Sequence, residues 1–354
     1  MSHPPTRRLY AFDAMRGVAA ILVMLYHAGR VGPSPSAHGY VAVDLFFALS
    51  GAVIDQSYRH RLETTLSTRE FVEKRIIRLY PIFLIGLVLG IIKSVGNLWL
   101  QNQPDLTVES MTISFLFNLF MLPSPLNIAE IFPLNGSQWS MFFELMVNIL
   151  YATILFRLPT RSIVSIAFLA GVGIVATALQ FGTLNIGWAW PTFSGGIFRS
   201  IYAFSAGVLI NRLIRTRRIG THIAFIPMIL IVVMCCTPFR QGLGQTLDIV
   251  YALLLCPTLV ACGRAFEIPS RFHRLAAFLG DISYPLYGIH FPLIFICTYL
   301  LRKIGLTGTE NLLVFSVLVT AASPFVEKYY DAPLRLRLSK MTKIRESAPP
   351  RILS

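Results

Sequence analysis

The sequence is poor in charged residues. Asp, Glu, Lys and Arg make up only 14% of its 354 residues, whereas soluble domains carry about 25%. Hydrophobic residues reach 55%, and the mean hydropathy is +0.63. A deficit of charge that extends over the whole chain indicates that lipid surrounds most of the protein. The pattern shows no separate soluble domain, and we expect a membrane domain over 1–334 followed by a basic tail over 335–354.

The sequence also lacks the cysteine spacing of a metal site or a redox motif. The five cysteines lie in apolar segments and include no Cys-x-x-Cys pair: Cys235, Cys236, Cys256, Cys262 and Cys297. We therefore interpret them as small packing residues and predict no metal. The formal net charge is +14, but no basic patch with interleaved aromatic residues indicates nucleic-acid binding.

Long apolar runs are present instead, and they predict an all-α bundle of about ten transmembrane helices. A spanning helix needs about 20 mostly apolar residues. The runs cover 9–29, 39–57, 76–96, 138–156, 163–181, 197–213, 222–237, 245–263, 276–300 and 311–330. Asp13 and Arg16 interrupt the first run, so we expect a retained helix rather than a cleaved signal peptide.

Loop charge predicts the orientation of this bundle. Lys and Arg are frequent in 58–75, in 264–274, after residue 213 and in the C-terminal tail, but absent from 97–110 and 182–196. Cytosolic loops are enriched in Lys and Arg, so both termini are expected in the cytosol. An even number of spans follows, and the short apolar stretch 111–123 is then expected to turn back rather than to cross.

Ionisable residues inside apolar helices are costly and suggest function. Arg16 and His27 are eleven residues apart, which places them within about 20° of one helical face and about 16 Å apart along the axis, with Asp13 to one side. Asp44 and Glu144 each follow an outer helix entrance, so counting residues predicts that they lie at the level of His27. This arrangement suggests a histidine general base oriented by a carboxylate.

Purely structural interpretations remain open for these residues. Asp13 and Arg16 could pair with each other, Asp44 could pair within the bundle, and His27 could simply lie at the membrane interface. His290, near the middle of a late helix, could be a hydrogen-bonded packing residue. Arg75 directly precedes the third predicted span, and Arg78 lies in the first turn of that span. This pair could anchor the helix or bind phosphate groups.

Several ordered motifs resemble the acyltransferase-3 family of integral-membrane O-acyltransferases. They are Asp13-Ala-Met-Arg16-Gly17 with His27 at the family's spacing, Val43-Asp44-Leu-Phe46-Phe47, Arg75-Ile-Ile-Arg78, Trp139-Ser140-Met-Phe-Phe-Glu144, Gly280-Asp-Ile-Ser283-Tyr284 continuing to His290, and Asp331-Ala-Pro333. The similarity extends over essentially the whole chain. One departure is Leu145, which stands where many members carry a second Glu.

The resemblance implies transfer of an acyl group, acetyl being the expected one, from cytosolic acyl-CoA to a carbohydrate or glycolipid at the outer face of a bacterial inner membrane. It implies catalytic roles for His27 and Arg16, supported by Glu144 or Asp44. Arg75, Arg78 and Arg16 are predicted to bind the acyl-CoA donor.

Trp139 and Asp13 are the residues predicted to bind the acceptor. Direct transfer and an acyl-histidine intermediate are both open, as are the acceptor and the oligomeric state. A proton-coupled transporter is the alternative, since buried His, Asp, Glu and Arg also suit a proton relay. No inverted repeat supports the transporter.

Overall fold

A computed structural model describes residues 8–100, 107–214, 222–238 and 242–342 of the chain. The described residues are helical and connected by loops and short 3-10 turns, with no extended strand among them. The helices are α1 Tyr10–Ala28, α2 Ala42–Thr64, α3 Thr68–Trp99, α4 Val108–Leu119, α5 Gln138–Thr153, α6 Thr160–Phe181, α7 Phe193–Leu213, α8 Ile226–Cys236, α9 Gly244–Val250, α10 Cys256–Ala265, α11 His273–Lys303, α12 Gly308–Val326 and α13 Ala332–Met341. One π-helical turn joins α9 to α10 and another joins α12 to α13.

The predicted all-α membrane bundle is confirmed. Among the described residues, eight helical segments are long and apolar enough to cross a bilayer. They correspond to eight of the ten predicted spans. The other two are the 16-residue α5 and the shorter apolar segment His222–Cys236. The chain is therefore a multi-pass membrane protein.

The stretch 111–123 contains a short helix and a reversal of the chain, and its turning back to one membrane face stays a prediction. Helix α4 has 12 residues, so at 1.5 Å per residue it is about 18 Å long, too short for a hydrocarbon core of about 30 Å. The chain reverses after α4 at Met121, which has φ 58°. The Ser114 and Ser124 hydroxyl groups then lie 2.8 Å apart, which ties the returning chain to the helix.

Close helix packing brings α1, α3 and α11 together around the centre of the bundle. Gly17 of α1 faces Leu279 of α11 so closely that a β-carbon at position 17 would overlap it. Gly288 of α11 meets Ile82 of α3 in the same way. Small residues at such crossings let helix backbones approach where lipid supplies no hydrophobic drive for association.

A proline in α11 helps to fix the loop that follows α4. Pro292 has no backbone N–H, so the carbonyl of Gly288, four residues earlier, is left without its usual helical donor. The Asn135 side chain donates to that carbonyl at 2.9 Å. The loop before α5 is thereby held deep inside the bundle.

The segment 58–75, which contains the end of α2 and the start of α3, lies at one end of the bundle together with the segment 264–274. We call it the basic end because of the Lys and Arg content of these segments. Helices α1, α3 and α11 begin there. The basic segment after residue 214 and the tail beyond residue 342 lie outside the described residues, and the described part of the predicted tail belongs to α13.

Candidate active site

A cavity of about 200 Å³ lies in the half of the bundle nearer the basic end. Three of the residues that line it are arginines, Arg16 of α1 and Arg75 and Arg78 of α3. We call it the arginine cavity. Sequence analysis predicted these three side chains as a donor-binding set, and the fold does bring them together around one cavity.

Some guanidinium N–H groups of the arginine cavity have no acceptor among the described residues. Arg75 donates to Glu144 at 2.9 Å, but its buried Nε has no hydrogen-bond partner among the described residues. Arg78 lies 3.5 Å from a carboxylate oxygen of the buried Asp331. Arg16 makes neither a hydrogen bond nor an ion pair within the described part of the chain. Unsatisfied cationic donors of this kind suit an anionic ligand, because forked N–H groups match phosphate and carboxylate oxygens.

Glu144 lies in the arginine cavity, so the prediction that it sits beside His27 is wrong. Its carboxylate accepts from Arg75 and, at 3.3 Å, from Ser50. The physical reason is the starting point of α5. Gln138, the first residue of α5, donates to the carbonyl of Phe83 at 2.8 Å, and Phe83 lies about 22 Å along α3. Because α5 starts near mid-membrane, its seventh residue reaches the level of Arg75.

A second cavity, of about 70 Å³, lies beyond the first along α1. We call it the histidine cavity because His27 lines it. Its other lining side chains include aromatic rings and hydrogen-bonding groups: Tyr26, Arg30, Tyr40, Glu130, Phe132, Trp139, Asn185, Trp188, Tyr287 and Phe291. Val43 and Tyr287 line both cavities, so the wall between the cavities is formed in part by these two residues.

The partner of His27 is a second histidine rather than the predicted carboxylate. Nδ1 of His27 lies 2.9 Å from Nε2 of the fully buried His290 of α11. Nδ1 of His290 in turn lies 3.1 Å from the carbonyl oxygen of Leu286.

When both rings are neutral, this chain of contacts defines their tautomers. A carbonyl oxygen only accepts, so Nδ1 of His290 carries the proton that it donates to Leu286. Nε2 of His290 is then an acceptor, and Nδ1 of His27 must donate to it. In that state the remaining His27 nitrogen, Nε2, is unprotonated, and no side chain among the described residues is hydrogen-bonded to it. A lone pair on that atom is what a general base requires.

Asp44 also does not contact His27, and that predicted pairing is wrong as well. Its carboxylate accepts hydrogen bonds from Nε and Nη2 of Arg199 of α7, the shortest being 2.7 Å from Nη2, and both side chains are buried. Arg199 donates further to the carbonyls of Ile186 and Tyr40. The open interpretation of Asp44 as a partner within the bundle is the one that the structure supports.

The two residues predicted to bind the acceptor are placed differently. Trp139 lines the histidine cavity, with its ring 5.5 Å from the guanidinium carbon of Arg199. Asp13 lines neither cavity. Asp13 forms an ion pair with Arg8, and Arg8 also lies 2.7 Å from the carboxylate of Asp281 in α11. Asp13 therefore helps to join the start of α1 to α11.

Two polar groups of the histidine cavity, Arg30 and Glu130, were not predicted from the sequence. Arg30 has no carboxylate partner within the described residues, and its guanidinium lies 5.0 Å from the centre of the Phe291 ring. The Glu130 carboxylate accepts no hydrogen bond there either, and burial raises the pKa of this carboxyl above its ordinary value. His290 had a sequence signal, since it ends the late-helix motif. Arg30 and Glu130 had no such sequence signal, because neither belongs to a recognised motif.

Comparison with known proteins identifies the class of protein. Residues 9–326 match the family described as an acyltransferase domain. The chain belongs to the acyltransferase-3 family. A membrane-bound acyltransferase is therefore the enzyme in which the two cavities lie. Within the described residues, no group of three or more His, Cys, Asp or Glu side chains is arranged to hold a metal ion.

Two curated relatives agree with this acyltransferase-3 assignment. Protein 2 in the picA locus of Rhizobium radiobacter is 31% identical over 199 residues, which cover 51% of this chain and all of that protein. BcsY of Komagataeibacter xylinus, provisionally named a membrane-bound transacylase, is 24% identical over 319 residues, or 84% of this chain and 76% of BcsY. No solved structure matches the chain significantly.

Proposed function

We propose that this acyltransferase moves an acyl group from acyl-CoA in the arginine cavity to a hydroxyl group of a carbohydrate acceptor in the histidine cavity. The observation that carries the proposal is the adjacency of the two cavities. One has free guanidinium donors, the other has an imidazole with an available lone pair, and they share the wall at Val43 and Tyr287. A transferase that joins two substrates from opposite sides needs this order of groups.

The donor end is supported by the charge of the arginine cavity. Three arginines and one glutamate line it, which favours the phosphate groups of an acyl-CoA. Phe46, Phe47 and Met141 line the same cavity and suit the uncharged arm that carries the thioester. By the positive-inside rule the basic end faces the cytosol of a bacterium, where acyl-CoA is made, and the membrane would be the inner one.

The acceptor end is supported by the side chains of the histidine cavity. Trp188 and Trp139 offer faces for the C–H groups of a sugar ring, while Asn185 and Glu130 offer hydrogen-bonding groups to its hydroxyls. Ligand sites commonly combine apolar walls with a few placed polar groups in this way.

In the proposed reaction, Nε2 of His27 accepts the proton of the acceptor hydroxyl as its oxygen attacks the acyl carbonyl carbon. The bond from that carbon to sulfur then breaks, and the proton passes from His27 to the departing thiolate. His290 accepts the hydrogen bond from Nδ1 of His27 throughout, which holds the ring in its productive orientation. Positioning of the donor falls to Arg16, Arg75 and Arg78.

The test uses purified full-length protein in lipid nanodiscs with labelled acetyl-CoA and a panel of bacterial surface oligosaccharides. Wild-type protein is expected to release CoA and to label the carbohydrate, and His27→Ala is expected to do neither. His273→Ala is the matched control, because His273 is a histidine of α11 that stacks on Tyr10 and lines neither cavity. Full acyl transfer by His27→Ala would contradict the proposed role. Proton-driven solute uptake into proteoliposomes by wild-type protein, without CoA release, would favour the transporter instead.

A further inference from the structure

Tyr287 occupies the position at which the two proposed substrates must meet. It lines both cavities and is only 7% exposed. Its ring lies 5.6 Å from the ring of Phe46 on one side and 5.7 Å from the ring of His290 on the other. The Tyr287 phenol therefore lies between the arginine cavity and the pair of histidines.

The hydrogen bonds around Tyr287 allow its hydroxyl group to donate. Its oxygen is bonded to Oγ of Ser140, which lies in the first turn of α5. Oγ of Ser140 also lies 3.2 Å from the carbonyl oxygen of Ser137. When Ser140 donates its single proton to that carbonyl, its oxygen accepts from Tyr287. In this arrangement the phenolic O–H points at a neutral hydroxyl oxygen, an acceptor that a more negative oxygen can replace.

We propose that Tyr287 is a catalytic residue that donates its hydrogen bond to the carbonyl oxygen of the acyl group during transfer. This inference rests on the proposed function. As the acceptor oxygen bonds to the carbonyl carbon, the π electrons of the carbonyl move to its oxygen, and the phenolic O–H stabilises that negative charge. The electrons return when the carbon–sulfur bond breaks, and Tyr287 returns to Ser140. The phenol keeps its proton throughout.

The physical basis is the difference between the ground state and the transition state. A neutral thioester carbonyl competes weakly with Ser140 for the phenol. A developing oxyanion in a buried, largely apolar site accepts a much stronger hydrogen bond. Donors aimed at such an oxygen typically accelerate acyl transfer about 10²–10³-fold. Loss of the Tyr287 hydroxyl should therefore lower kcat and leave the KM for acyl-CoA nearly unchanged.

The main test is steady-state kinetics of Tyr287→Phe in nanodiscs, with acetyl-CoA and an acceptor that wild-type protein uses. The expected result is a fall in kcat of about 10²–10³-fold at nearly constant KM. Tyr151→Phe is the matched control, since it removes another buried phenolic donor, 2.9 Å from Asp55, that lines neither cavity.

A wild-type kcat in Tyr287→Phe, or a change confined to KM, would overturn the inference. Fluorotyrosine at position 287 covers the case in which the Phe variant does not fold, because it keeps both ring and hydroxyl. Under the proposed role kcat changes with the acidity of the substituted phenol, and a constant kcat would overturn it. Absence of CoA release by wild-type protein would instead contradict the proposed function itself.

Discussion

Replacing His290 tests whether the pair of histidines sets the state of the base. His290→Phe keeps an aromatic ring of similar size but removes the acceptor for Nδ1–H of His27. A buried donor left without its partner costs about 1–3 kcal/mol, and this cost disfavours the tautomer with a free lone pair on Nε2. Since 1.4 kcal/mol is tenfold, kcat should fall roughly 5–150-fold, while the KM for acyl-CoA stays near the wild-type value.

The refuting comparison uses His290→Gln. A Gln side chain at that position can present its amide oxygen to His27 and should recover much of the lost kcat. CoA release in nanodiscs measures both variants, with size-exclusion profiles to show that each is folded and His273→Phe as the control. Wild-type kcat in His290→Phe, or equal losses in the Phe and Gln variants, would show that the tautomer argument is incorrect.

Three further predictions concern separate parts of the site. Arg16→Gln should raise the KM for acyl-CoA roughly 10–150-fold, the equivalent of one charged hydrogen bond of about 1.5–3 kcal/mol. The thermal midpoint should not change, because Arg16 has no hydrogen-bond or ion-pair partner in the described part of the chain; a lowered midpoint would argue for a structural role. Asp44→Asn should lower the thermal midpoint in detergent, because stranding Arg199 in the bundle costs about 3–5 kcal/mol; wild-type stability would contradict the structural assignment. Burial raises the pKa of Glu130 above the ordinary 4.5 of a carboxyl, so protonation on acidification should begin at a higher pH than usual and raise the KM for the acceptor. Glu130→Gln should remove that pH dependence, and its persistence in the variant would exclude Glu130 as the cause.

Much of the fold was predictable from the sequence because the bilayer restricts what apolar runs can form. Ten runs correspond to helical segments, and the short run at 111–123 contains the 12-residue α4. Convergence of Arg16 with Arg75 and Arg78 was predictable as well, because all three lie about two turns or less from the places where α1 and the membrane part of α3 begin. The depth of each arginine in the bundle follows from its distance in sequence to the start of its own helix.

The partners of the ionisable residues were not predictable in the same way. Counting residues from an assumed membrane surface failed for Glu144, since the chain has already turned deep into the bundle before α5 begins. Asp44 and His27 pair with Arg199 and His290, which are 155 and 263 residues away in sequence. Such pairs depend on which helices pack together, and a single sequence contains no direct record of that packing.

The separation of His27 and His290 in the chain has a consequence for biogenesis. One imidazole enters the membrane with the first helix, and the ring that orients it arrives only when α11 has docked, with Gly17 in contact with Leu279. In a partly synthesised chain, no partner would yet determine which ring nitrogen of His27 is protonated. Competence for chemistry would therefore arise only late in insertion, after α11 has entered the bundle.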